Sequence, residues 1–207
     1  MKNIYTLIFI GLLSFSSLIN AQQNPNFTLH TNGVTCLCPD AAVGDTGVVN
    51  GITYVKRIKS EITPQNAATT CTSGIMDMSG LFQNNQSFNG DIGSWDTSSV
   101  TNMSYMFYNA TTFNKSIENW NVTNVNNMEA MFQDSPFNKP IGNWNVANVT
   151  NMSHMFNGAS YFNQNINNWN VTNVTNMYGM FANTTSFNQS IGNWNVSNVT
   201  SMFGMFA

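Results

Sequence analysis

The chain has 207 residues, of which only 7% are charged, and its formal net charge is −3. That composition lacks the basic stripe a phosphate backbone requires, so no nucleic-acid partner is expected. Its hydrophobic residues, 42% of the total, recur at fixed spacing, which separates the chain from a disordered polar polymer.

At the N-terminus Lys2 precedes an apolar run from Ile4 to Ile19, followed by Asn20-Ala21-Gln22. A basic start, a short hydrophobic stretch and a small residue before a polar segment predict a secretory signal peptide over residues 1–21, cut after Ala21. The run is shorter than the ~20 apolar residues of a spanning helix, and no second hydrophobic segment follows. The expectation is a secreted or outer-cell-surface protein with no stable membrane span after cleavage.

Residues 22–72 differ from the rest. Asn50-Gly51 lies between the β-branched pair Val48-Val49 and Ile52-Thr53-Tyr54-Val55, a hairpin signal. All three cysteines, Cys36, Cys38 and Cys71, fall here. In an exported chain the default is a disulfide. Cys36 and Cys38 are too close to pair with each other without strain, so one of them, Cys38 with Cys36 as the alternative, bridges to Cys71. Zinc would need a fourth soft ligand, and His30 is the only nearby candidate, so no metal or cofactor is expected. A small β-rich element tied by a disulfide ahead of a repeat array is expected to act as an N-terminal cap, covering the first copy's apolar face.

Residues 73–207 read as five to six tandem copies, the last incomplete. Trp95, Trp120, Trp144, Trp169 and Trp194 recur at intervals of 25, 24, 25 and 25 residues. Around them run columns of Phe (Phe88, Phe113, Phe137, Phe162, Phe187), Ile (Ile92 to Ile191) and Met (Met78 to Met202, Met106 to Met205). The short copy lacks one position before Phe137, which places the deletion in a turn. A fixed period in the twenties predicts stacked identical units. Ile-x-x-Trp-x-Val predicts a short strand, and Met-x-x-Met-Phe at i, i+3, i+4 predicts one or two helical turns. The expected fold class is therefore an α/β solenoid, leucine-rich-repeat-like, a right-handed coil stack of ~25-residue strand–turn–short-helix units. The sequence stops at Met205-Phe206-Ala207 inside a sixth copy, as a piece of a longer chain would.

The columns Phe-Asn-x-x-Ile-x-x-Trp-x-Val-x-Asn-Val-Thr-Asn-Met-x-x-Met-Phe resemble the repeat of the BspA-like leucine-rich-repeat surface proteins, once labelled a mycoplasma domain of unknown function. The resemblance covers about residues 71–207, and the lead-in Cys38-Pro39-Asp40 to Gly47 is similar to the start of such proteins in Bacteroidetes. It implies a leucine-rich-repeat-like fold, a secreted or surface location, and an adhesion or matrix-binding role.

For chemistry the repeats offer little. The Trp column reads as core, its indole N–H groups needing partners inside the array. The asparagine columns after each Trp, before the second Val and before the first Met read as a hydrogen-bonding ladder. An ice-binding face would need more uniform columns than Tyr105, Tyr178 and Phe203 allow. Neither a repeated carboxylate column nor a nucleophile with a base is present, so no enzyme is expected. Residues that differ from copy to copy between the core columns, Tyr105, Glu129, His154, Tyr178 and Phe203, form the candidate ligand face. The expected function is non-covalent binding, adhesion to an extracellular protein or polysaccharide; the alternative is a structural surface array with no specific ligand.

Overall fold

The computed structural model describes residues 23–207. The expected signal peptide, residues 1–21, lies outside them.

Strands are confined to the N-terminal segment. β1 (Thr28–Leu29) pairs antiparallel with β2 (Cys36–Leu37). β3 (Thr46–Val49) and β4 (Ile52–Lys56) form an antiparallel hairpin, to which β5 (Thr70–Cys71) adds in parallel on β4. Asn50 and Gly51 turn that hairpin with φ of 51° and 76°, the left-handed pair that matches the twist of two antiparallel strands. Two single 3₁₀ turns, Lys59–Glu61 and Ala67–Thr69, carry the chain from β4 to β5.

The segment is locked to itself and to the first copy. Cys38 and Cys71 form the disulfide, and Cys36 is left as a buried free thiol. The Cys36 N–H donates to the Ser94 carbonyl at 2.8 Å, and the Trp95 indole N–H donates to the Ala67 carbonyl at 2.9 Å. Ile62 and Ala67 join the same apolar core as the repeat columns.

The repeats themselves correct the expected fold class. Among the described residues the repeat region contains neither a helix nor a strand, so the α/β solenoid of strand–turn–short-helix units is not the architecture. Where Met-x-x-Met-Phe was expected to be helical, one residue per copy between the two core positions has left-handed φ: Gly80, Tyr105, Ala130, His154, Gly179 and Gly204, at 51–63°. A second left-handed column follows at Asn84, Asn109, Asp134, Gly158 and Asn183. Such residues end an α-helix after one turn, so the segment becomes consecutive i→i+3 turns, as in Gln83 N–H to the Gly80 carbonyl at 3.1 Å. The expected Ile-x-x-Trp-x-Val strand is also a turn. In each copy the Trp N–H returns to the Ile carbonyl three residues back, at 3.1–3.2 Å.

Alternate backbone N–H groups are freed by these turns and point at the next copy. Met78, Gly80, Phe82 and Asn84 donate to the carbonyls of Asn102, Ser104, Met106 and Tyr108 at 2.8–2.9 Å. The same four-bond comb recurs at each later junction, ending with Asn183 to Ala207 at 2.7 Å. Isolated parallel bridges connect Asp77, Asn102, Asn127, Asn151, Asn176 and Ser201 in sequence. Copies therefore lie in parallel register without a strand longer than one bridge.

Side chains reinforce the register. Within copies the rings of Phe82 and Phe88, Phe107 and Phe113, and Phe156 and Phe162 stack at 3.7–3.9 Å. Between copies Phe82, Phe107, Phe132, Phe156 and Phe181 follow one another at 5.6–5.8 Å. In the 24-residue copy the Ser135 hydroxyl accepts the Phe137 N–H at 3.1 Å, replacing the carbonyl that serves Phe113 and Phe162 elsewhere. The deletion thus leaves the Phe137 N–H paired.

Candidate functional site

The five tryptophans are buried; the Trp95 indole N–H reaches the N-terminal segment, and each of the other four donates to the previous copy. Trp120, Trp144, Trp169 and Trp194 reach the carbonyls of Ile92, Ile117, Ile141 and Ile166 at 3.0–3.2 Å. They join copies together and leave no indole face for a ligand.

Asparagine divides its labour by column. Asn121, Asn145, Asn170 and Asn195 accept the N–H two residues on at 3.0–3.2 Å, closing the turn after each Trp. Asn124, Asn148, Asn173 and Asn198 donate to a carbonyl of the previous copy at 2.7 Å. Asn102, Asn127, Asn151 and Asn176 accept the N–H two residues on at 3.0 Å. A further column, Asn89, Asn114, Asn138 and Asn163, accepts a backbone N–H from the following copy at 2.9–3.1 Å.

The residues expected to form a ligand face occupy two adjacent columns and fall into two groups. Tyr105 donates its hydroxyl to Glu129 Oε1 at 2.5 Å, while Glu129 Oε2 accepts from Asn151 at 3.2 Å. The bond to Glu129 comes first among the causes, ahead of burial, that push the Tyr105 phenol up to about 12. In the second group His154 meets Tyr178 edge-on at 4.9 Å, and Tyr178 stacks on Phe203 at 5.8 Å. His154 sits above Gly179, where a Cβ would come within 2.8 Å of Nδ1. His154 is half-buried and Tyr178 is 40% exposed; Phe203 lies in the last copy, where the core-column residues Met202 and Phe206 are exposed as well. An edge-on ring followed by a stacked ring is a favourable aromatic arrangement, here facing water.

One polar cluster was not anticipated. At the junction of the N-terminal segment and the first copy, Asp96 Oδ2 accepts from the Ser73 hydroxyl at 2.5 Å, and Oδ1 accepts from the Ser98 N–H and hydroxyl. The Lys56 ammonium donates to the Cys38 and Ser73 carbonyls, and burial lowers its pKa while Asp96 opposes that shift. Asp96 and Ser73 are buried, and the cluster welds the junction. Its signal was in the sequence: Asp96 stands where every later copy has asparagine. Burial pushes the neighbouring Cys36 thiol up to about 12, with Asp96 adding to it. Among the described residues no three His, Cys, Asp or Glu side chains converge as metal ligands, and no helix is long and apolar enough to cross a membrane.

Loop-built copies in parallel register, tied to a disulfide-bonded N-terminal segment, define a tandem-repeat protein. The sequence model of a family described as "Mycoplasma protein of unknown function, DUF285" matches residues 53–140 and again 130–207. The chain belongs to that family. The first match begins inside β4, so it takes in part of the N-terminal segment as well as the repeats. No curated protein and no solved structure matches the chain.

Proposed function

We propose that this is a non-catalytic protein of the cell exterior that binds an extracellular protein or polysaccharide, as an adhesion element of the BspA-like, Bacteroidetes type. The observation that carries the reading is the strip His154–Tyr178–Phe203: three aromatic rings in contact across three copies, at positions the core does not use, with two of them exposed. Aromatic side chains held on a rigid frame supply contact area at low entropic cost, which is why they anchor interfaces. The exterior location is supported by the Cys38–Cys71 disulfide, a bond that persists in oxidising compartments, together with the apolar N-terminal run.

The experiment is binding of the purified protein to immobilised extracellular-matrix proteins and polysaccharides, beside a triple variant Tyr105→Ala, His154→Ala, Tyr178→Ala. Saturable binding that the variant loses is the expected result. Saturable binding that survives in the variant refutes the assignment of the face. A folded protein that binds nothing turns the reading to a structural array without a specific ligand.

A further inference from the structure

One asparagine column takes no part in the scaffold. Asn119, Asn143, Asn168 and Asn193, immediately before each Trp, are exposed, and their amides have no hydrogen-bond partner among the described residues. Four other asparagine columns are spent on turns and junctions. The array therefore repeats this amide in four copies without using it to fold.

Two members of the column, Asn143 and Asn168, line a notch of about 250 Å³ whose other walls include Glu118, Pro140 and Gln164. Gly142 lies in its wall, in register with Glu118 and Asn167 of the neighbouring copies. A Cβ there would lie 2.4 Å from the Asn165 carbonyl oxygen, so the backbone of the next copy has closed over the glycine. Next to Asn168 in the chain, Asn167 Oδ1 is buried and finds no donor, the sole such side-chain atom among the described residues.

The chemistry of these walls narrows the ligand. Primary amides offer both donors and acceptors, and a carboxylate accepts strongly from hydroxyls. Exposed Pro140 adds an apolar ring edge against which a sugar's C–H face can rest. An anionic group is opposed by Glu118 and by the net charge of −3. A calcium ion needs about six to eight oxygen ligands, more than one carboxylate and a few amides arrange here. A lysine side chain would use Glu118 and leave the amides idle. The space is smaller than the ~300–1,000 Å³ of drug-sized sites, which fits a single ring rather than a larger ligand.

We infer that the Glu118–Gly142–Asn168 notch is a subsite for one unit of a neutral glycan whose chain runs along the Asn119–Asn143–Asn168–Asn193 column. The site shares no residue with the aromatic strip and stands independently of it. A chain engaging successive amides gains by effective concentration, so affinity rises with oligosaccharide length.

The test is calorimetric titration of the purified protein with neutral hexasaccharides (β-1,4- and β-1,3-glucan, α-1,4-glucan, mannan, N-acetylglucosamine), their monosaccharides, and an oligogalacturonate as anionic control. At least one neutral hexasaccharide binds saturably, and its monosaccharide binds at least tenfold more weakly. The double variant Asn143→Ala, Asn168→Ala loses about 10- to 100-fold, the weight of two hydrogen bonds, and Glu118→Gln loses roughly tenfold. Val43→Ala, at an exposed position of the N-terminal segment, leaves this binding unchanged and is the control. The inference is overturned if no neutral hexasaccharide binds, if the oligogalacturonate binds as well as the neutral chains, or if the double variant binds as the parent does. Retained fluorescence of the buried tryptophans shows that the variants are folded.

Discussion

Trp169→Phe tests whether the indole column bonds the copies together or only fills space. Trp169 is 3% exposed, its N–H donates to the Ile141 carbonyl at 3.1 Å, and its ring stacks on Trp194 at 6.4 Å. Phenylalanine keeps an aromatic ring but removes the donor. The Ile141 carbonyl retains the Trp144 backbone N–H at 3.1 Å, so it is not left bare and the loss is that of one ordinary hydrogen bond, about 1 kcal/mol. The smaller ring also leaves a void of methyl size or larger, worth about 1 kcal/mol more. Together these give a destabilisation of about 2 kcal/mol, against ~3–5 kcal/mol for Trp169→Ala. The assay is urea unfolding followed by the fluorescence of the four remaining tryptophans, with an unchanged slope confirming that the midpoint reports stability. Phe203→Ala, at a site 77% exposed, is the control and shifts the midpoint little. A Trp169→Phe midpoint equal to that of the parent would refute the bonding role.

Two further outcomes are expected. Reducing Cys38–Cys71, which closes a loop with a sequence separation of 33, destabilises the protein by about 3.5 kcal/mol, read as a lower urea midpoint in the presence of dithiothreitol. An unchanged midpoint would mean that the hydrogen bonds at the junction suffice. Cys36, its thiol pushed up to about 12, stays unreactive toward alkylating reagents at pH 8 until urea unfolds the chain. Because the unfolded thiol ionises first, stability falls as pH rises from about 9 toward 12, and Cys36→Ala flattens that fall.

Much of the scaffold was legible because it is periodic. The Trp, Phe, Ile and Met columns are read directly from the sequence, and the structure buries nearly all of them in one core. The hairpin at Asn50-Gly51 was equally open, since that dipeptide names its own turn. The expected helix is absent for a definite reason. Apolar residues at i, i+3 and i+4 face one side of a helix, yet two tight turns in series place them together as well. A contrary signal lay in the column Asn84, Asn109, Asp134, Gly158 and Asn183, the residue types that tolerate left-handed backbone. Tyr105 and His154 concealed the other left-handed column, because neither residue type announces that conformation.

The candidate face divides in the same way. Variation between copies singled out Tyr105, Glu129, His154, Tyr178 and Phe203, but it could not pair them. Which rings touch depends on the register between copies, and the backbone comb sets that register. The Glu118–Gly142–Asn168 notch was invisible in the sequence, since an unused amide looks like a used one until its hydrogen bonds are traced. The period, the core columns and the three candidate cysteines were thus determined by the sequence alone, through side-chain type at fixed spacing. Tertiary structure decided the backbone path inside each copy and which polar groups were consumed. Those choices rest on hydrogen bonds between residues about 25 positions apart, and no local preference encodes them.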